Sequence, residues 1–237
     1  MNKKKSIVVL TGAGISAESG IKTFRGADGL WENHRIEDVA SIEGYVKNPT
    51  LVQEFYNQRR RQLQQQEVQP NKAHLALAEL EKEWQGSFLI VTQNVDNLHE
   101  RGGSQKVLHM HGELLKARCT ATSQVYPWLD DIAEGSVCAC CSKVGTLRPH
   151  IVWFGETPLE TPRIFGVLRN CDLFLSVGTS GQVYPAAGFV KQVQPNARRV
   201  EINVEETALT KAFGEHRVGN ASEEVPKFVR EILEGID

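Results

Sequence analysis

No stretch of this 237-residue chain approaches the roughly 20 consecutive apolar residues of a membrane-spanning helix, so none is expected. Charge of one sign is also missing. The 27 Lys and Arg against 29 Asp and Glu leave a formal net charge of −2, which gives no bulk attraction to nucleic acid or to a membrane surface. There is no even set of cysteines: the chain has five, and four of them fall between Cys119 and Cys141. With a basic start, Met1–Lys5, too short to read as a signal peptide, this argues against a disulfide framework. A cytoplasmic location is expected, and the cysteine cluster reads as a metal site. There is no internal repeat, and the Gln-rich "QLQQQEVQ" is too short for low complexity. What is present, 41% hydrophobic and 24% charged residues, suits an ordinary globular protein with one large core and a small satellite.

Six segments share a pattern of a short apolar run closed by small or polar residues. They are "SIVVLTGAG" (6–14), "SFLIVTQNVD" (87–96), "KVLHMHGE" (106–113), "HIVWFGE" (150–156), "DLFLSVGTS" (172–180) and "RRVEINVE" (198–205). Runs of this kind suit strands buried on both faces of a parallel sheet. Helical spacing separates several of them, as in "NKAHLALAELEKEW" (71–84) and in "SEEVPKFVREILEGI" (222–236), where Ser222 is the expected N-cap. The alternation implies an α/β fold, a Rossmann-like doubly wound parallel sheet with ligands at the carboxyl ends of its strands. Residues 33–66 read as helices and 118–146 hold cysteines and few apolar residues. Both are expected to be insertions forming a smaller lobe, leaving 1–32, 67–117 and 147–237 as the nucleotide-binding domain. Cys171, ahead of an apolar strand, is expected to be a small core residue.

After Thr11 come Gly12, Gly14 and Ala17, spaced G-x-G-x-x-A. Such a turn lets backbone amides approach a pyrophosphate. Arg25 is a natural phosphate clamp and Phe24 could wall off one end of the ligand. Yet the acidic residue that ends the second strand of a dehydrogenase is missing, and this speaks against hydride transfer.

In order, "GAGISAESGIKTFRG", "TQNVDNLH", "HMHGE", "WFGE", "GTS" and "NVE" resemble the sirtuins, NAD-dependent protein lysine deacylases, and in detail the bacterial CobB-type, class III branch that also removes acidic acyl groups. The resemblance implies cleavage of the nicotinamide–ribose bond of NAD, with deacylated lysine, nicotinamide and 2′-O-acyl-ADP-ribose as products. It implies that Gly12, Ala13, Gly14, Ser16, Phe24 and Arg25 hold the pyrophosphate and nicotinamide ribose. Gln93, Asn94 and Asp96 would line the ribose and nicotinamide pocket, Asn94 with a catalytic part and Asp96 taking the carboxamide. Gly178, Thr179, Ser180, Asn203 and the backbone near Ala221 would hold the adenosine side. His111 matches the family's general base, a role that suits a neutral imidazole at a strand end. His109 is expected to pack or to support it, and His99 to be structural.

The segment around Val152, Phe154 and Gly155 would offer an edge to the substrate peptide, with "GQVYP" (181–185) on the other side. Tyr56 and Arg59 stand at i, i+3 on an expected helix and share a face. With Ala40 as the small residue giving depth, they match the desuccinylating sirtuins, whose pocket grips a distal carboxylate. The alternative is that Arg59, Arg60 and Arg61 form one solvated basic face, as is expected of Arg60 and Arg61. The family's structural zinc site has two C-x-x-C pairs. Here Cys119, Cys138 and Cys141 are in register, Thr122 stands where the fourth ligand belongs, and Cys140 is additional. The fourth position falls to Cys140, to water or to weak binding, and the alternative is a set of reduced thiols without metal. Acyl-lysine side chains of proteins are the expected partners of a monomer. The competing functions are protein ADP-ribosyl transfer by the same NAD cleavage, a dehydrogenase, and a non-enzymatic NAD-sensing module.

Overall fold

Apolar runs buried from end to end make the centre of the molecule, seen in a computed structural model that describes residues 5–22, 30–31 and 34–235. In chain order the strands are β1 (Ile7–Thr11), β2 (Leu30–Trp31), β3 (His34–Arg35), β4 (Phe88–Thr92), β5 (Val107–His109), β6 (Gly112–Cys119), β7 (Val125–Pro127), β8 (Leu147–Ile151), β9 (Leu173–Val177), β10 (Arg198–Asn203) and β11 (Glu215–Val218). The α-helices are α1 (Ile36–Val39), α2 (Ile42–Lys47), α3 (Pro49–Leu63), α4 (Lys72–Glu83), α5 (Leu98–Arg101), α6 (Thr161–Leu168) and α7 (Ala221–Glu234). Six strands pair in parallel in the order β11-β10-β9-β1-β4-β5. By position in the chain this is the 3-2-1-4-5-6 order of a doubly wound dinucleotide fold. The order reverses between β1 and β9, so a crevice opens at the carboxyl ends of these two neighbours.

Alternate residues of β1 supply the two faces. Ile7 and Val9 pack with Leu77 and Leu80 of α4 and with Val225 and Phe228 of α7. Val8 and Leu10 pack with Ile164 and Leu168 of α6 and with Phe189. A second, antiparallel sheet in the order β7-β6-β8 carries the cysteine module. Val52, Phe55 and Tyr56 of α3 pack against Leu114, Ile151 and Trp153 beside it.

Several expectations change. "HIVWFGE" does not join the parallel sheet. Its first residues end β8, which pairs antiparallel with β6; β8 itself reads "LRPHI", and most of the apolar run that suggests a parallel strand lies after its end. The small sheet thus takes in residues 112–117 and 147–151, beyond the 118–146 insertion. β11 is added at the sheet edge, where "EHRV" is partly exposed and shows no apolar run. The N-cap of α7 is Asn220. Ser222 lies inside the first turn, where its amide and hydroxyl both donate to the Glu18 carboxylate. Arg60 is not on a solvated face. It is fully buried, with Nε donating to Leu114 O at 3.0 Å and Nη1 to Asn57 Oδ1 at 2.8 Å. Arg61 is exposed as expected, paired with Glu54 and Asp131.

Under the sheet edge two histidines are buried side by side. His74 Nδ1 accepts from the Asn71 amide and so completes the cap of α4. Its ring centroid lies 5.0 Å from that of His99. Burial lowers the His74 pKa from 6.5 to about 4 and takes His99 well below 6.5. Between those values the unfolded chain binds protons that the folded chain refuses, so stability falls as pH drops from about 6.5 to about 4. For His74 this amounts to a few kcal/mol, on the order of 3. His74→Gln keeps an acceptor for the cap, and its denaturation midpoint is expected to fall less steeply than the wild type's over this range. Parallel pH dependence in the two proteins would show that His74 is not the group responsible.

Candidate functional site

The turns after β1 and β9 touch through their backbones. The Gly12 amide donates to Val177 O at 3.0 Å and the Gly14 amide to Gly178 O at 2.8 Å. A Cβ at Gly12 would stand 2.7 Å from Gly178 O, and one at Gly14 would stand 2.6 Å from Gly178 Cα. Gly178 itself has φ +61°, the left-handed region that favours glycine. These glycines therefore serve first to let two turns meet, and their amides are used in that contact rather than being left for a ligand. Ala13 opens a short 3-10 helix, Ala13–Ser19, in place of a long α-helix. On the β9 side Asn203 Nδ2 donates to Thr179 O at 2.9 Å. The Gly219 amide donates to Asn203 O at 2.9 Å, just before α7 starts at Ala221. Gly178, Thr179, Ser180, Asn203 and Ala221 thus share one end of the crevice. Phe24 and Arg25 lie outside the described residues.

At the other end the loop after β4 carries the polar cluster. Asn94 Nδ2 donates to Ser16 Oγ at 3.1 Å, and Ser16 Oγ donates to Asp96 Oδ2 at 3.0 Å. Asp96 Oδ1 accepts from the Leu98 amide at 3.1 Å, and burial raises its pKa. Thr92 Oγ1, not singled out in the sequence, accepts from the Asn94 amide at 3.0 Å. Gln93 Nε2 is buried without a hydrogen-bond partner among the described residues. An orphaned amide in a crevice built by a glycine turn fits a polar ligand such as the nicotinamide half of NAD.

Two histidines hold this loop. His111 Nδ1 is 3.1 Å from Gln93 O, and His109 Nδ1 is 3.2 Å from Asn94 O. A carbonyl only accepts, so both Nδ1 atoms carry hydrogen. Burial lowers the His111 pKa, only partly offset by the Gln93 carbonyl. Its ring is therefore neutral near pH 7, with Nε2 as a bare acceptor. His109 differs. Burial opposes its charge, but Glu100 Oε1, 2.7 Å from Nε2, outweighs it and the pKa rises. Glu100 carried no signal in the sequence, since "NLHER" reads as an ordinary helix start.

Tyr56, Arg59, Trp31, Leu114, Val95 and Asp96 line a cavity of about 60 Å³. The helix pair expected at i, i+3 therefore meets the Asp96 end of the polar cluster. Arg59 lies with its guanidinium carbon 3.3 Å from the Phe55 ring centroid. Ala40 is buried, but it does not line this cavity. Its carbonyl accepts from the Phe154 amide at 2.9 Å. The Val152 amide donates to His111 O and the Trp153 amide to Glu156 Oε2. The amides of residues 152, 153 and 154 are thus all used inward, and the Trp153 carbonyl accepts from the Glu156 amide at 3.0 Å. Phe154 and Tyr184, on the two sides, are exposed.

In the cysteine module the Sγ atoms of Cys119, Cys138, Cys140 and Cys141 lie within 4.8 Å of one another. Thiolates at the usual 2.3 Å from a tetrahedral zinc stand ~3.8 Å apart. The 3.8 Å from Cys119 to Cys141 matches that spacing, and the 3.2 Å from Cys138 to Cys140 is shorter than it. Cys140 is the fourth sulfur of this cluster. Thr122 Oγ1 is 3.1 Å from its sulfur and supports it rather than joining the set. Burial alone would raise the Cys138 thiol, but Tyr126 and Cys140 bring it down to about 5. It is then a thiolate, the form that binds metal. Cys171 is buried elsewhere in the core, as expected.

A profile of the Sir2 family matches residues 12–185. The chain is 59% identical over 230 residues to a Vibrio cholerae serotype O1 protein named NAD-dependent protein deacylase, covering 97% of this chain and 94% of that one. A Sir2 homologue mutant in complex with 2′-O-acetyl ADP ribose is similar with TM-score 0.86 and 38% identity, over 98% of this chain and 94% of that chain. A Sir2–p53 peptide–NAD+ complex is similar with TM-score 0.76 and 30% identity, over 100% of this chain and 96% of that chain.

If the four sulfurs hold zinc, purified protein carries about one equivalent, and a chelator that strips it lowers the melting temperature. Cys140→Ser is expected to lose zinc as Cys119→Ser does, whereas Thr122→Ala retains it. Metal analysis checks all three; a Cys140→Ser protein with full zinc would remove Cys140 from the ligand set.

Proposed function

The chain belongs to the Sir2 family, the sirtuins, and on that premise we propose that it is an NAD-dependent protein-lysine deacylase acting on acetyl and on acidic acyl groups such as succinyl and malonyl. The observation that carries the reading is His111. Its Nδ1 hydrogen is committed to Gln93 O, its Nε2 is a bare acceptor, and from the turn between β5 and β6 it holds the loop that carries Asn94 and Asp96.

NAD, when bound, supplies the ribose carbon that takes the acyl oxygen as nicotinamide leaves, and the hydroxyl that then takes the acyl group. The residues divide the remaining work. Asp96 and Gln93 present acceptor and donor to a carboxamide. Asn94, fixed by Thr92 and Ser16, orients the ribose side. His111 Nε2 takes a proton from a ribose hydroxyl as that oxygen attacks the acyl carbon. The neighbour holding 2′-O-acetyl ADP ribose supports this product. Thr179, Ser180 and Asn203 would hold the adenosine side. The peptide of the p53 complex supports a protein substrate, here laid along Val152, Phe154 and Gly155. Tyr56, Arg59 and the cavity between them would receive the acyl chain, with Arg59 meeting its carboxylate.

Mass spectrometry of NAD incubated with acetyl- and succinyl-lysine peptides tests the reading. Label from NAD retained on protein in place of acyl-ADP-ribose would favour ADP-ribosyl transfer. His111→Tyr is expected to retain the fold and to lose about 10²–10⁴-fold in turnover, the usual cost of a missing general base. In the wild type the neutral ring is the active form, so kcat/KM falls in acid with a midpoint below 6.5 and is level above it.

Arg59→Met is expected to lower kcat/KM for succinyl-lysine tens- to hundreds-fold while sparing acetyl-lysine. This is the lower part of the range for a broken charge pair, because Arg59 is partly exposed. An unchanged succinyl-to-acetyl ratio would remove Arg59 from the acyl site.

A further inference from the structure

Tyr56 is fully buried, and its hydroxyl makes one hydrogen bond among the described residues: it accepts from Trp153 Nε1 at 3.1 Å. An indole nitrogen donates and cannot accept. The direction of this bond is therefore settled, and the phenolic hydrogen has to find its acceptor elsewhere. No described residue supplies one. Burial pushes the Tyr56 pKa well up, so the group stays a neutral donor. The residue lines the cavity that Arg59 also lines.

The indole that imposes this direction is itself fixed on every side. Trp153 is 2% exposed. The Arg148 guanidinium carbon lies 3.5 Å from its ring centroid, and the Tyr45 ring packs at 4.9 Å. Arg148 is held in turn by two bonds to Glu156, at 2.7 and 2.9 Å, and by one to Ile151 O at 2.8 Å. Glu156 closes the circle by accepting from the Trp153 amide at 2.8 Å. The unit Glu156–Arg148–Trp153 leaves the indole N–H one place to go.

We infer that Trp153 is a specificity-determining positioning residue, which acts through Tyr56 by turning its hydroxyl hydrogen toward the acyl cavity. The inference rests on the deacylase reading above, in which Tyr56 and Arg59 receive the acyl chain, and concerns what turns the Tyr56 hydroxyl. A buried hydroxyl hydrogen with no acceptor is unfavourable, and a ligand that brings an acceptor to it removes that cost. The distal carboxylate of a succinyl or malonyl chain does so, with one oxygen for Tyr56 and one for Arg59. The methyl group of acetyl-lysine does not. The cavity therefore selects for an acceptor through a residue that touches no substrate. Trp153 lies outside the i, i+3 pattern that marks Tyr56 and Arg59.

The test measures kcat and KM on matched acetyl- and succinyl-lysine peptides for wild type, Trp153→Phe, Tyr56→Phe and the double variant. Phenylalanine keeps an aromatic ring against Arg148 and removes the donor. Trp153→Phe is expected to lower succinyl kcat/KM about 3- to 10-fold, mostly through KM, the size of one neutral hydrogen bond. Acetyl activity should stay within about 2-fold, less than one such bond. In the Tyr56→Phe background the same change should leave the ratio where it is, because the hydroxyl on which it acts is gone. Replacing Trp153 by benzothienylalanine, which keeps the bicyclic shape and swaps N–H for sulfur, gives the same readout if the phenylalanine variant folds poorly. A wild type inert toward succinyl-lysine overturns the acidic-acyl reading and this inference with it. A wild type that desuccinylates, with equal losses on both peptides in Trp153→Phe or an unchanged ratio, overturns the inference alone.

Discussion

The close approach of two backbone turns is the constraint on which the rest of the site depends. β1 and β9 are neighbours in the sheet, and their turns can meet only because Gly12, Gly14 and Gly178 carry no side chain at the contact. A single methyl group on any of them would overlap backbone atoms that have nowhere to move. The contact sets the floor of the crevice at the reversal point of the strand order. From that floor the loop after β4 and the start of α7 take their places on either side.

The polar half of the site is held by two histidines two residues apart. Both donate Nδ1–H to consecutive carbonyls, of Gln93 and Asn94, yet their pKa values move in opposite directions. His111 has only a carbonyl for company and burial lowers its pKa. His109 has Glu100 against Nε2, which raises its pKa against the pull of burial. One ring is thereby left with a lone pair for proton transfer and the other is committed to holding the loop. The same few ångströms serve both tasks because each nitrogen has a different partner.

Helix α3 is tied to the antiparallel sheet and the cysteine segment by groups that contribute no chemistry of their own. Arg60 and Asn57, buried on α3, reach Leu114 O and both backbone groups of Ile132. Burial lowers the Arg60 pKa to about 10, which still leaves it charged at neutral pH. This network joins the helical insertion to the cysteine module, and it fixes α3 in the rotation that presents Tyr56 and Arg59 to the cavity. Zinc, bound on the far side of that module, would act on the site only through such packing.

The parallel strands β1, β4 and β9 could be read directly, since strands buried on both faces must be apolar throughout. So could the glycine turn, the polar strand ends, and the shared face of Tyr56 and Arg59, because each depends on residue type at short spacing; His111 stands out only through the resemblance of "HMHGE" to the sirtuins. The membership of β8 in the small sheet could not be read, since "LRPHI" carries no apolar run and the run that follows lies outside the strand. β11 escaped because an exposed edge strand needs no apolar pattern. Arg60 escaped because a guanidinium is buried only when distant carbonyls, here Leu114 O and the side chain of Asn57, happen to meet it. The fourth sulfur of the cysteine cluster and the indole that turns Tyr56 follow the same logic. Local sequence determined which chemical groups this protein has and roughly which edge they share. The tertiary fold decided which lone pair, which hydrogen and which sulfur each of them presents, because those depend on partners brought together from far along the chain.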